Sequence, residues 1–212
     1  MADISASVLA RLKNKSKKEG IPLQQLLTLF FQEEFIRRLS KSKYRDNLIL
    51  KGGFLLYTIS EFATRPTVDA DYLLKNHSNN IESIKMLVEK VVSSSSNNDY
   101  IKFELKGLEV ISEHKKYHGI RASLIGVIGK TKTPLSIDFG VGDVIVPSAV
   151  KRTLPVLLLD LEDPQVLTYS LESMVVEKLD AIISLMQATG RMKDFYDVYY
   201  LALHYDFEGR KL

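Results

Sequence analysis

The chain has 212 residues, of which 45% are hydrophobic, carries a net charge of +3 and contains no cysteine. This length and apolar content suffice for one large domain or a compact two-part body, and the lack of cysteine excludes disulfides and thiolate metal sites. No stretch approaches the roughly 18 unbroken apolar residues of a membrane-spanning helix, and the first four residues lack a signal-peptide pattern, so we expect a cytoplasmic protein with no membrane partner.

The positive charge is concentrated in the first quarter of the chain. Residues 1–53 hold eleven lysines and arginines against five aspartates and glutamates, whereas acidic residues prevail in the remainder. A basic patch can attract a polyanion such as RNA, but a charge run by itself is more often a pair of solvated helix faces. The residues concerned are Lys13, Lys15, Lys17, Lys18, Arg37, Arg38, Lys41, Lys43 and Arg45.

Hydrophobic periodicity predicts helices at both ends of the chain and strands in its middle. Apolar residues recur at spacings of three and four in the helices, and turn residues separate the strands. In chain order, the pattern predicts helices at 5–18 and 23–40, a strand at 48–50, a helix at 54–62, a strand at 67–74, a helix at 80–92, strands at 101–111, 121–129 and 135–139, and helices at 173–188 and 195–203.

These elements divide the chain into three parts of one compact body. We expect an N-terminal helical lead-in at 1–47, an α/β core with a mixed β-sheet at 48–146, and a C-terminal helical region at 147–212. The predicted fold class is therefore α+β.

The most specific feature is a glycine pair followed by two carboxylates. Lys51, Gly52 and Gly53 form a predicted nucleotide-binding turn, since glycines let backbone amides approach phosphate oxygens. Asp69 and Asp71 are two residues apart, so in a β-strand both point to one face and can converge on one cation. Magnesium fits because it binds through one or two carboxylates plus substrate phosphates. The pattern is typical of a nucleotidyltransferase that handles a nucleoside triphosphate with Mg²⁺.

A metal site of this class needs a third carboxylate, for which there are two candidates. Asp138 lies at the end of an otherwise apolar strand, where an ionised aspartate is uncommon without a partner. Asp143 lies in the loop just beyond and is the second choice. For either residue the alternative is an ordinary strand-end or turn carboxylate. The choice depends on strand register, which a slip of one residue reverses.

The predicted C-terminal helices add a further group of charged residues. Lys178 interrupts an apolar stripe, so it either reaches solvent along that packed stripe or neutralises charge on the leaving pyrophosphate. Arg191 and Lys193 are available to bind phosphates. Asp194 is either a helix N-cap or an orienting partner for Lys178, and its role relative to Asp197 stays open.

The order of these motifs resembles the AbiEii/AbiGii toxin family of nucleotidyltransferases, within the DNA polymerase β-like superfamily. The resemblance covers most of the chain, from about residue 23 to residue 203, and depends on the order and spacing of several motifs. The stretches that carry it are 34–40, 50–56, 65–71, 136–138, 177–179 and 191–197, which read EFIRRLS, LKGGFLL, RPTVDAD, SID, EKL and RMKDFYD.

The resemblance implies the toxin half of a bacterial toxin–antitoxin or phage-defence pair, with a cognate antitoxin as partner. Some relatives add nucleotides to the 3′ end of tRNA. Many superfamily members have Gly-Ser where this chain has Gly-Gly, which makes Thr67 the candidate for the missing hydroxyl. The implied site residues are Asp69, Asp71 and Asp138 for Mg²⁺, Gly52, Gly53, Arg65 and Thr67 for the triphosphate, and Lys178 and Asp194 at catalytic positions.

Three functions are compatible with these residues. The leading hypothesis is a magnesium-dependent nucleotidyltransferase that transfers NMP from an NTP to RNA, in particular to tRNA, with the basic N-terminal helices as part of the RNA path. The second keeps the NTP chemistry but places the nucleotide on a protein side chain or a small molecule. The third is a nucleotide-binding or partner-binding module without turnover, against which the intact Asp69, Asp71, Lys178 and Asp194 argue.

Overall fold

The structure is a computed structural model that describes residues 4–65, 67, 69–111, 118–185 and 192–207. Helices at both ends of these ranges flank a β-rich centre, as the periodicity predicts. In chain order the elements are α1 (Ile4–Glu19), α2 (Leu23–Lys41), β1 (Leu48–Lys51), α3 (Gly52–Ile59), β2 (Asp69–Leu74), α4 (Ile81–Val92), β3 (Ile101–Ile111), β4 (Gly119–Ile128), β5 (Thr131–Gly140), β6 (Val150–Thr153), β7 (Gln165–Thr168), α5 (Leu171–Leu185) and α6 (Met192–His204).

The seven strands named above form one mixed sheet in the order β3-β4-β5-β2-β1-β7-β6. Strands β3, β4 and β5 form an antiparallel meander, β2 is parallel to β5 and antiparallel to β1, and β7 is parallel to β1. The predicted α+β class with a mixed sheet is thus confirmed. Strands β6 and β7 lie within the predicted C-terminal helical region at 147–212, in an irregular stretch that precedes its predicted helices. Each strand is only four residues long and lies close to prolines. Such short strands do not show the alternation of apolar and polar residues from which a strand is predicted.

The sheet has one buried face and one face that carries polar side chains. Along β4, Ile120, Ala122 and Leu124 are buried and the residues between them are partly exposed. Helices α2 and α4 pack on the buried side. Phe31 of α2 lies directly over Gly126, where a Cβ would come within 2.3 Å of the Phe31 ring. Glycine at this position therefore lets α2 approach the sheet closely.

Two arginines of the predicted basic patch are buried, which corrects their assignment to a solvated or RNA-binding face. Arg37 donates 2.6 Å hydrogen bonds to Glu33 and Glu34, and Arg38 donates to Glu34 at 3.0 Å. Arg37 and Glu34 have no exposed surface. Helix α2 is enclosed by neighbouring parts of the chain, so its charged residues are stabilised by one another. They are not available to RNA.

The outward faces of α5 and α6 are unexpectedly apolar. Leu179 and Ile183 of α5 are 40% and 63% exposed, and Phe195 and Tyr199 of α6 are 46% and 64% exposed. The predicted packed stripe of α5 therefore faces outward in part. The inward side of these two helices holds the buried Lys178 and Asp197 together with the buried Val175 and Leu201. In the part of the chain described, no helix combines the length and the apolar character that crossing a bilayer requires.

Candidate active site

A row of charged residues crosses four neighbouring strands on the polar face of the sheet. Lys51 of β1 is the register partner of Asp71 in β2, Asp71 is the partner of Asp138 in β5, and Asp138 is the partner of Arg121 in β4. Partners in adjacent strands project to the same face. The four side chains therefore lie side by side, in the charge order plus, minus, minus, plus.

Asp69 and Asp71 project together, as their spacing predicts. Ala70 between them is buried, whereas Asp69 is exposed and Asp71 is half-buried. Burial, followed by the negative charge of Asp138, raises the pKa of Asp71 to about 6 against the opposing effect of Lys51. Such a carboxylate is ionised at neutral pH but unfavourably placed. A bound cation would relieve this cost.

The glycine pair lies against this carboxylate. Gly52 has a φ of +70°, and a Cβ at this residue would come within 2.4 Å of Asp71 Oδ2. A Cβ at Gly53 would lie 3.4 Å from Thr67 Oγ1 and 3.5 Å from Arg65 Nη2. Helix α3 begins here, so its first backbone amides point into the space beside these groups. Four of the predicted triphosphate-binding residues, Gly52, Gly53, Arg65 and Thr67, thus lie together at one helix N-terminus.

The predicted third carboxylate, Asp138, is already engaged. Arg121 Nε and Nη2 donate hydrogen bonds of 2.8 and 2.7 Å to its two oxygens. Register places Asp138 beside Asp71, but both of its oxygens turn to the guanidinium. Accordingly, among the residues that the structure describes, no group of three or more acidic or histidine side chains forms a ready metal cage. Two carboxylates, Asp69 and Asp71, are the immediate candidates for a cation.

Asp143, the second choice for the third ligand, has a different role in the structure. Its Oδ2 accepts 2.6 Å hydrogen bonds from Lys51 Nζ and from the Tyr169 hydroxyl. Lys51 also donates to Glu177, which lies near the middle of α5. Burial lowers the pKa of Lys51, but the charges of Glu177 and Asp143 outweigh burial and the pKa is raised. Lys51 is therefore protonated, and its ion pairs connect strand β1 with the loop after β5, which carries Asp143, and with Glu177 of α5.

A second ionic cluster joins α5, α6 and the segment after α3. Lys178 Nζ lies 2.6 Å from Asp197 Oδ2 and 3.3 Å from Asp194 Oδ1. Arg65 donates to both oxygens of Asp197, at 3.1 and 2.7 Å. Because α6 begins at Met192, Asp194 lies inside its first turn and contacts Lys178. Of the two alternatives for Asp194, this arrangement supports the orienting partner.

Some predicted residues lie away from these clusters or outside the described chain. Lys193 is exposed on α6. Arg191, predicted to bind phosphate, falls outside the described residues. The two clusters are neighbours, because Gly53 lies beside Arg65 and because α5 supplies both Glu177 and Lys178. The region that the two clusters border is called the cleft below.

Three residues of the site, Glu177, Arg121 and Tyr169, escaped the sequence analysis as functional groups, and the role of a fourth, Asp197, was left open. Asp197 had a usable signal, because it lies three residues after Asp194 and therefore on the same side of a helix. Glu177 immediately precedes Lys178 but carried no independent signal. Arg121 and Tyr169 had none, because their importance comes from partners 17 and 26 residues away.

Comparison with known proteins agrees with this geometry. The family profile described as "Nucleotidyl transferase AbiEii toxin, Type IV TA system" matches residues 34–212. A comparison with curated proteins gives no significant match. Among solved structures, JHP933 from Helicobacter pylori has a TM-score of 0.55 at 16% identity, covering 86% of this chain and 67% of its own. A chain described as a nucleotidyltransferase, also from H. pylori, has a TM-score of 0.55 at 17% identity and covers 86% and 69%. At these identities the likeness concerns the fold.

Proposed function

The chain belongs to the AbiEii nucleotidyltransferase toxin family, and from this premise we propose that it transfers NMP from an NTP to the 3′ end of a tRNA in a magnesium-dependent reaction. The acceptor hydroxyl attacks the α-phosphorus, the bond to the β-phosphate oxygen breaks, and pyrophosphate leaves. The reaction would act as the toxin activity of a toxin–antitoxin pair, with a cognate antitoxin as its partner.

One observation carries the metal-dependent part of the proposal. In the described part of the cleft, Asp138, Asp143, Glu177, Asp194 and Asp197 each have a cationic partner. No side-chain ion pair or hydrogen bond joins the carboxylates of Asp69 and Asp71 to any described residue. Two adjacent carboxylates repel each other unless a cation lies between them. They are therefore the ligands that Mg²⁺ would take, together with phosphate oxygens of the NTP.

The neighbouring groups fit a triphosphate. Bound Mg²⁺ supplies charge neutralisation at the phosphates and at the departing oxygen. Gly52 and Gly53 leave space for phosphate oxygens at the start of α3, and Thr67 and Arg65 flank that space. Lys178 is 7% exposed and donates a hydrogen bond to Asp197. Its ammonium is therefore held in one position before the substrate binds. Such fixed positive groups would stabilise the charge that develops on pyrophosphate.

The choice of tRNA as acceptor is supported by the family resemblance and not by the basic residues of the chain. Helix α1, whose Lys13, Lys17 and Lys18 are exposed, packs on α2, and α2 covers the face of the sheet opposite to Asp69 and Asp71. The α1 lysines therefore do not line the catalytic face. A salt-dependent association with tRNA would have to use other phosphate contacts.

Incubation of the purified chain with total tRNA, MgCl₂ and each α-labelled NTP in turn, read on a denaturing gel, tests the proposal. Asp69→Asn is the inactive variant. Asp46→Asn is the matched control, because the Asp46 side chain is 75% exposed and remote from the cleft. We expect label on tRNA with wild type and Asp46→Asn but not with Asp69→Asn.

Other outcomes of the same experiment identify other acceptors. Label on the protein would replace tRNA by a protein acceptor, and pyrophosphate release without label on either macromolecule would indicate a small-molecule hydroxyl. Neither label nor pyrophosphate would contradict the proposed reaction and favour a binding module.

A further inference from the structure

The ion pair between Arg121 and Asp138 lies beside the proposed cation site, because Asp138 is the register partner of Asp71. The two residues are register partners, and the guanidinium binds both carboxylate oxygens side-on. The Arg121 side chain is 34% exposed and that of Asp138 is 15% exposed. Side-on pairs of this geometry are among the stronger charged hydrogen bonds in proteins. The pair is thus a defined contact with one face still open to solvent.

This contact changes what the three carboxylates can do together. Each oxygen of Asp138 retains a lone pair, but a divalent cation bound there would lie next to the positive guanidinium. Like charges at such short range repel strongly in a partly desolvated site. Asp71, by contrast, faces Asp138 from the neighbouring strand, and no cation among the described residues donates a hydrogen bond to its carboxylate. The site therefore offers two free carboxylates and one that is neutralised.

We propose that Arg121 is a positioning residue that withholds Asp138 from the cation site, so that the resting site has two carboxylate ligands and gains the third only when Arg121 moves away. This inference rests on the proposed function, since it assumes that Asp69 and Asp71 bind a divalent cation. Its consequence is that Arg121 sets how many of the three carboxylates the free enzyme offers to the metal, and thereby its affinity. Asp138 then becomes available at a later step than Asp69 and Asp71.

Binding of Mn²⁺ to the full chain, followed by the EPR signal of free Mn²⁺ and without any nucleotide, tests this role. The variants are Arg121→Met, Asp138→Asn, the Arg121→Met/Asp138→Asn double variant and Asp71→Asn. Arg121→Gln serves as a second replacement in case Arg121→Met does not fold. Arg11→Met is the matched control, because Arg11 pairs with Asp160 away from the cleft.

We expect Arg121→Met to bind Mn²⁺ about tenfold more tightly than wild type, the effect of freeing one charge-assisted hydrogen-bond partner. Asp138→Asn alone should weaken binding by less than Asp71→Asn does, because it removes no ligand but leaves the Arg121 guanidinium without its counter-charge. Adding Arg121→Met to Asp138→Asn should then tighten binding by clearly less than the gain that Arg121→Met gives in wild type. A general effect of the lost positive charge would give the same gain in both backgrounds, so the difference between the two gains measures the release of Asp138. Arg11→Met should bind like wild type.

Two results would overturn the role of Arg121 alone. One is unchanged or weaker binding in Arg121→Met and Arg121→Gln, and the other is a loss in Asp138→Asn as large as that in Asp71→Asn. If wild type and Asp71→Asn bind Mn²⁺ equally, or neither binds it, the proposed cation site is itself wrong and the inference falls with it. The failure of the inference and the failure of the proposed function are therefore distinguishable.

Discussion

The ammonium of Lys178 donates a 2.6 Å hydrogen bond to Asp197, whose side chain has no exposed surface. Asp197 also binds Arg65 through both oxygens. One buried carboxylate thus orients two cations that come from segments far apart in the chain. A buried charge that loses its partner lowers the stability of the fold. The ion pairs of Asp197 therefore stabilise the protein and at the same time hold Lys178 and Arg65 in place at the cleft.

Asp197→Asn should destabilise the protein by about 2–4 kcal/mol, because it leaves Lys178 and Arg65 without their shared counter-charge. Urea unfolding measures the difference. Asp180→Asn, a change at an exposed acid of the same helix pair, should shift the free energy of unfolding by less than about 0.5 kcal/mol. Equal stability of the two variants would contradict a structural role for Asp197.

Asp71→Asn should stabilise the metal-free protein while abolishing activity. The pKa of Asp71 is raised to about 6 from its ordinary 3.8. The folded state therefore holds the proton more tightly than the unfolded chain, and the stability this provides is lost as the pH rises from about 4 through about 6. At pH 8 the ionised side chain lowers the free energy of unfolding by about 1–3 kcal/mol, because each pKa unit corresponds to about 1.36 kcal/mol.

Urea unfolding in EDTA at pH 8 and at pH 4 measures this effect. The stabilising effect of Asp71→Asn should be present at pH 8 and small at pH 4. The rate of nucleotidyl transfer should fall at least about 10²-fold. An Asp71→Asn protein that is less stable than wild type at pH 8 would show that the carboxylate is not destabilised by its surroundings.

Gly52→Ala should impair the site more than Gly53→Ala. At Gly52 the positive φ costs a side-chain residue about 1–2 kcal/mol, and the new Cβ would collide with Asp71 Oδ2. At Gly53 the new Cβ would make ordinary contacts with Thr67 and Arg65. We expect at least about a tenfold loss of activity for Gly52→Ala and a loss below about threefold for Gly53→Ala. Steady-state pyrophosphate release compares them, and the reverse order would refute this geometry.

Arg37→Met should cost about 3–5 kcal/mol of unfolding free energy, because Glu33 and Glu34 would be left as buried carboxylates with fewer partners. Lys17→Met, at an exposed basic position of α1, is the control and should change stability by less than about 0.5 kcal/mol. Similar stabilities in urea would mean that Arg37 belongs to a solvated surface after all.

The local features of the site could be predicted because they depend on short-range geometry. Strand pleating places Asp69 and Asp71 on one face whatever the rest of the chain does. The glycine pair at 52 and 53 is likewise visible as a place where the backbone can approach another group closely, whereas the left-handed φ of Gly52 and its contact with Asp71 are seen only in the structure. The spacing of apolar residues in α2 predicted its helix, since that pattern repeats every three to four residues.

The pairings of these groups could not be predicted from periodicity. Arg65 and Asp197 are 132 residues apart, Lys51 and Glu177 are 126 apart, and the Arg121–Asp138 contact depends on the register of an antiparallel strand pair. A shift of one residue in that register would reverse which face each side chain occupies.

The sequence by itself thus determined the secondary structure apart from β6 and β7, the α+β class and the carboxylate pair. These properties follow from propensities and repeats within a few residues. Only the tertiary structure decided that Arg37 is buried, that Asp138 is held by Arg121 and that Asp197 joins two cations. The physical reason is that burial and ion pairing depend on residues that folding brings together from distant parts of the chain. The local pattern of apolar and polar residues does not show which of these residues will meet.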